Sequence, residues 1–349
     1  MKGKITVIGT GAWGTTLAIM LARKGLSTTL WARTAEEADA LRTRRENQAF
    51  LPGAIFPTDL TVTHSLPEAL DSCTLLLLVV PAQRMRDNVQ RIAAHLPEDT
   101  IVISAAKGLE VETTKRMTEV IGDELPQGHR RKVAVLSGPN LSREIVAGLP
   151  ASTVIASHDP AVTEFVQQLI MTPLFRVYTH NDVIGVELAG ALKNIIAIGA
   201  GAADGFGYGD NAKATIMTRG LAEITRLGVV LGANPLTFAG LAGVGDLVCT
   251  CASRHSRNHY VGEELAKGRT PADIQASMKM VAEGIFTTMA ARKLAQKHGV
   301  EMPITEQIYQ VLFEGKEPRQ AVSDLMLRDA RPELDRLEQV LKGRTLGPW

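Results

Sequence analysis

The chain has 349 residues, 45% of them hydrophobic and 21% charged, a balance that suits a globular protein of two domains with a sizeable core. Its 38 Lys and Arg against 37 Asp and Glu leave a formal net charge of +1, and aromatics make up 4%. Neither figure favours nucleic acid or an anionic membrane, so a small-molecule partner is expected.

Read from the start, MKGKITVIGTG has a short basic lead but lacks the apolar core and cleavage site of a signal peptide. The longest greasy run, LLLLVV at 75–80, is far short of the roughly 20 residues that span a bilayer. Cys73, Cys249 and Cys251 lack zinc-site spacing and do not suggest a disulfide framework, so a reducing, cytoplasmic setting is expected.

KITVIG (4–9), STTLWA (27–32), TLLLLVV (74–80), TIVISAA (100–106) and KVAVLSG (132–138) read as strands. Several are apolar on both faces, as in a parallel sheet covered by helices. TVIAS (153–157) and FRVY (175–178) are candidates to extend that sheet. From about residue 180 the β signal disappears, and 185–203, 211–228, 277–298 and 303–314 carry helical periodicity. The expected architecture is a Rossmann-type α/β doubly wound sheet over 1–180 followed by an all-α domain over 181–349.

The first strand runs into Gly9-Thr10-Gly11-Ala12-Trp13-Gly14 and then a helical pattern. In this strand–turn–helix setting, the glycines serve a tight turn, close backbone approach to a pyrophosphate and helix–strand packing. The helix N-terminus adds free N–H groups and partial positive charge. A dinucleotide is therefore expected, a structural glycine turn being the plain alternative. Arg33 stands near the position where an NAD site usually carries an acid, and arginine suits a 2′-phosphate, so NADPH/NADP is expected over NADH/NAD. A solvated arginine is the other reading, and Glu36 or Glu37 could still reach the ribose.

Ligands bind beyond the carboxyl ends of parallel strands. Lys107, after TIVISAA, and Ser137-Gly138-Pro139, after KVAVL, fall there. Lys107 is read as a substrate contact, with a lone surface lysine as the alternative.

GVELAGALKNIIAIGAGAADG (185–205) is apolar nearly all round, which marks a buried helix, yet it carries Lys193 beside Asn194. No acid lies a helical turn away, so burial should disfavour the ammonium and ready Lys193 for proton transfer to or from an oxygen. A lysine snorkelling to the surface is the competing reading. Further on, AGVGDLVCTC sets Asp246 among small residues ahead of Thr250, where a helix cap is the commoner use of aspartate. Ser256, Arg257 and Asn258 would make a pocket for a phosphate or carboxylate.

GTGAWGTTLA, AAKGLE, LSGPN, ELAGALKNIIAIGAGAADG, NAKATIMTRGLAEITRLG, GVGDLVCTC, HSRNHYVG and VAEG…MPITEQIYQVL together resemble the NAD(P)-dependent glycerol-3-phosphate dehydrogenase family, in order from residue 5 to about 315. The resemblance implies a Rossmann domain, a helical domain, and reversible reduction of dihydroxyacetone phosphate to sn-glycerol 3-phosphate without a metal, feeding glycerophospholipid synthesis. On matching positions it makes Lys193 the general acid/base, with Lys107, Asn194, Asp246 and Thr250 around the reacting carbon. Ser256, Arg257 and Asn258 hold substrate, Gly138 and Asn140 lie at it, and Val281, Glu283 and Ser142 lie at the cofactor, with Arg257 and Lys107 touching both. One departure stands out: the family usually follows SGP with a small hydroxyl residue, Phe and Ala or Gly, whereas this chain has Asn140-Leu141-Ser142. A β-hydroxyacid or 6-phosphogluconate-type dehydrogenase is the rival enzyme, and an NADP-sensing module the non-catalytic one. A homodimer is an expectation with no particular residue behind it.

Overall fold

The computed structural model describes residues 3–278, 280–330 and 332–333. The chain divides into two compact units, one of Met1–Lys107 with Met117–Val183 and one of Gly108–Arg116 with Ile184–Trp349.

The first unit is an eight-stranded sheet of β1 (Lys4–Ile8), β2 (Thr28–Trp31), β3 (Leu60–Thr63), β4 (Cys73–Leu78), β5 (Ile101–Ser104), β6 (Val133–Ser137), β7 (Ala151–Ala156) and β8 (Phe175–His180). Its helices are α1 (Ala12–Arg23), α2 (Ala35–Arg44), α3 (Leu66–Leu70), α4 (Met85–Ala93), α5 (Met117–Glu124), α6 (Ser142–Val146) and α7 (Pro160–Ile170). The strand order is β3-β2-β1-β4-β5-β6-β7-β8. Every neighbouring pair is parallel except β6 and β7. The two candidate strands after residue 150 thus join the sheet, both running opposite to the other six. β3 escaped the sequence reading: LTVT is four residues long, and the exposed Thr61 breaks its apolar run.

Successive side chains of a strand point to opposite faces. Leu75 and Leu77 therefore join the core under one face with Val7 and Leu17, while Leu76 and Leu78 join the other with Ile8 and Met85. That is why LLLL can be a strand: both faces are covered. The order reverses at β1, whose neighbours are β2 and β4, and such a reversal opens a crevice at the strands' carboxyl ends.

The second unit contains α8 (Val183–Gly205), α9 (Gly209–Val230), α10 (Asp246–Ala252), α11 (Arg257–Ala266), α12 (Pro271–Ser277), α13 (Glu283–His298), α14 (Pro303–Phe313) and α15 (Pro318–Met326). Its core gathers around Leu192, Ile195, Ile196 and Ile198 of α8. By length and mean hydropathy (1.6), α8 could cross a membrane, a stretch the run at 75–80 had overshadowed; 94% of its apolar window is buried inside the protein instead.

The helix expected over 277–298 starts late: Ser277 is the last residue of α12, and α13 starts only at Glu283. Contacts from α11 set that start. Asn258 Oδ1 accepts from Gly284 N at 2.9 Å, and Arg257 donates to the Val281 carbonyl at 2.6 Å.

Candidate active site

In the first unit, each glycine of the turn has a distinct job. Gly9 has φ +120, and a Cβ there would lie 2.4 Å from the Val79 carbonyl oxygen beside β4. At Gly14 a Cβ would lie 2.0 Å from the Gly9 carbonyl oxygen, so α1 leaves the turn only through a glycine. Gly11, the N-cap of α1, has nothing within 4 Å of a Cβ position. Its openness leaves room for a ligand to approach the backbone. α1 also carries no acid in its first turn and no side-chain cap, so its leading N–H groups suit an anion. The turn fits a dinucleotide's pyrophosphate, with Ala12 and Trp13 as the first helical residues.

Thr10, between the first two glycines, is held from three directions. Asn47, 2% exposed, donates through Nδ2 to the Thr10 carbonyl at 2.7 Å and to Thr15 Oγ1 at 2.9 Å. Thr15 Oγ1 donates to the same carbonyl at 3.2 Å. The Thr10 hydroxyl donates to Glu37 Oε1, whose other carboxylate oxygen accepts from Arg33 N at 3.0 Å. Asn47 was not singled out from the sequence. In RENQAF it looks like any loop asparagine, and nothing near it marks a contact 37 residues back.

Past β5 and β6 the structure brings Lys107 and Gly138 together: Lys107 Nζ donates to the Gly138 carbonyl at 2.8 Å. Gly138 has φ +152, and a Cβ there would meet Thr153 Cα at 3.0 Å. The Asn140 side chain turns to β7, donating to the Ser152 carbonyl at 3.1 Å and accepting from Thr153 Oγ1 at 3.0 Å. At this departure from the family pattern, the amide braces the β6–β7 connection. Ser142 is the first residue of α6, and its carbonyl accepts from Thr16 Oγ1 of α1 at 3.3 Å. Arg33 is exposed.

In the second unit Lys193 is 4% exposed, which rules out snorkelling. The expectation of a buried lysine without a nearby anion is corrected: Nζ donates to Asp246 Oδ1 at 2.9 Å and to Thr250 Oγ1. Thr250 Oγ1 in turn donates to Asp246 Oδ1 at 3.1 Å, closing a triangle. An anion at this range favours the ammonium. Nor does Asp246 serve as a cap. Leu241–Gly245 forms a π-helical turn running straight into α10, where Asp246 is the first residue and Gly245 the N-cap. Gly243 lets that turn close, since a Cβ there would sit 2.0 Å from the Phe238 carbonyl oxygen. Such turns recur at functional sites. Burial pushes the neighbouring Cys251 thiol up to about 12, despite the opposing pull of Lys193, so it stays protonated and inert.

Asn194, also 4% exposed, accepts at Oδ1 from Asn258 Nδ2 at 2.9 Å. Asn258 thus ties α8 to the start of α13, where Glu283 is the first residue. Ser256 is the N-cap of α11, its hydroxyl accepting from His259 N at 3.2 Å, and that helix has no acid in its first turn. Arg257 is exposed and reaches Val281, itself 37% exposed.

A family model described as "NAD-dependent glycerol-3-phosphate dehydrogenase N-terminus" matches residues 4–163, and its C-terminus counterpart matches residues 182–323. The chain is 51% identical over 333 residues to glycerol-3-phosphate dehydrogenase [NAD(P)+] of Geobacter sulfurreducens, covering 95% of this chain and 99% of that one. It is 50% identical over 330 residues to the protein of the same name from Chlorobium limicola, with the same two coverages. Among solved structures, a glycerol-3-phosphate dehydrogenase from Coxiella burnetii matches with a TM-score of 0.89 at 37% identity, over 93% of this chain and 99% of that one.

Proposed function

The chain belongs to the NAD-dependent glycerol-3-phosphate dehydrogenase family, and from that premise we propose that it reduces dihydroxyacetone phosphate reversibly to sn-glycerol 3-phosphate with NADH or NADPH. The product is a glycerophospholipid backbone, and the work is cytoplasmic. The observation that carries the reading is the buried Lys193 ammonium on Asp246 and Thr250.

The residues around the glycine turn hold the dinucleotide, which when bound supplies or accepts a hydride at the substrate carbon. Reduction of a ketone also needs a proton on the oxygen, and Lys193 gives it. Asp246 keeps the ammonium charged and aimed before transfer, and Thr250 fixes the carboxylate by donating to it. In the alcohol-to-ketone direction the neutral amine takes that proton back. The role suits a group locked by packing and hydrogen bonds, because a general acid acts only within hydrogen-bond reach. Asn194 is oriented by Asn258 beside it. Arg257, with Ser256 and the leading N–H groups of α11, takes the phosphate, where a fixed cation and helix dipole both favour a dianion. Lys107 is a further substrate contact, held by the Gly138 carbonyl.

Remote binding energy positions the reacting centre, so a truncated substrate loses turnover as well as affinity. Following the loss of reduced-nicotinamide absorbance with dihydroxyacetone phosphate and unphosphorylated dihydroxyacetone, and its appearance from the oxidised cofactor with 3-hydroxyacids, tests the reading. Rapid oxidation with the first alone is expected. Turnover of a hydroxyacid instead, or cofactor binding with no turnover of any of them, would overturn it.

A further inference from the structure

Arg33 follows β2, where the adenosine ribose of a dinucleotide is recognised, and its cation suits a 2′-phosphate. The structure puts an anion into the same corner. Glu37 lies in the first turn of α2, its N–H donating to Thr34 Oγ1 at 3.2 Å. A glutamate at this helix position usually reaches back to the N-cap's own N–H. Here the carboxylate goes one residue further, to Arg33 N at 3.0 Å, and also accepts from the hydroxyl of Thr10 in the glycine turn. It therefore joins the two backbone segments, β1–α1 and the end of β2, that enclose the ribose corner in a Rossmann unit.

Two features make this carboxylate more than a brace. A carboxylate has about four acceptor sites, so two hydrogen bonds leave capacity for a ribose hydroxyl. The same two bonds also tether it, and it cannot swing away from an incoming phosphate without giving them up. A 2′-hydroxyl would thus meet an acceptor, whereas a 2′-phosphate would meet a fixed like charge that offsets Arg33.

We propose that Glu37 is a specificity-determining residue that restrains binding of the 2′-phosphorylated dinucleotide, in opposition to Arg33. The inference rests on the glycine turn being the dinucleotide site. It goes beyond a preference for NADPH argued from Arg33 alone: with Glu37 opposing Arg33, the pair would set a balance between the two cofactors.

The test is calorimetric binding of 2′,5′-ADP and ADP to the full-length wild-type, Glu37→Gln and Arg33→Ala proteins. The measured quantity is the ratio of the two dissociation constants. Glu37→Gln keeps an acceptor for the turn but removes the charge, and should shift the ratio about tenfold toward 2′,5′-ADP, the scale of one like charge at close range near a surface. Arg33→Ala should shift it the opposite way. A ratio unchanged by Glu37→Gln, equal weakening of both nucleotides, or loss of all binding in that variant alone would overturn the proposal, because Glu37 would then only brace the turn. If wild type binds neither nucleotide, the dinucleotide reading itself falls.

Discussion

Gly9, Gly11 and Gly14 sit at the junction of the neighbouring elements β1 and α1, whereas Lys193 finds Asp246 and Thr250, 53 and 57 positions downstream. The turn is an assembly of backbone: its requirements are the absence of Cβ atoms and an open helix end. The lysine cluster is an assembly of side chains from α8 and α10, and it exists only once the helical core has packed. The first should fail through local geometry, the second through loss of a buried ion pair.

The largest stability effect is expected at Asp246. Removing one member of a buried ion pair leaves the other charge uncompensated, which typically costs about 3–5 kcal/mol. Asp246→Ala should lose that much in denaturant unfolding, and turnover with it. Combining Lys193→Met with Asp246→Asn should restore most of the stability but none of the activity. If Asp246→Ala is as stable as wild type, the ammonium has another anchor.

At the turn, two glycines that look alike in sequence should behave differently. Gly14→Ala forces a Cβ against the Gly9 carbonyl, so melting temperature and dinucleotide affinity should both fall. Gly11→Ala meets no protein atom within 4 Å and should leave melting nearly unchanged while weakening NADH binding by roughly 10- to 100-fold, as expected where only ligand approaches the backbone. Equal melting losses in both variants would mean Gly11 serves the fold.

A smaller effect belongs to Asn258. Its loss removes the acceptor for Gly284 N and the partner of Asn194, so Asn258→Ala should cost about 1–2 kcal/mol, the scale of a lost helix cap. Turnover should fall more than affinity for the dinucleotide. The reverse split would detach Asn258 from the substrate side.

How much the sequence disclosed follows the same division. β4, β5 and β6 were legible because alternate side chains fill cores on both faces, which leaves apolar runs, and β1 and β2 because they flank the glycine turn and its helix. β3 was not, being short and half polar. The glycine turn could be read from spacing, and Lys193 from its incongruity in an apolar helix. Which anion would reach Lys193 could not be read, because no local pattern encodes a contact across 53 residues. The same holds for Asn47 on Thr10 and for Asn258 at the start of α13. The late start of α13 was hidden for a related reason: the periodicity of 277–298 runs on through Val281, whose carbonyl accepts from Arg257 of α11 ahead of the helix.

In the proposed mechanism Lys193 gives a proton rather than binding cofactor, and Lys193→Met separates those roles directly. Its kcat for dihydroxyacetone phosphate should fall roughly 100- to 10,000-fold, the usual contribution of a general acid, while the dissociation constant for NADH stays close to wild type. A variant that keeps more than about a tenth of wild-type kcat, an effect too small for a lost general acid, would contradict it.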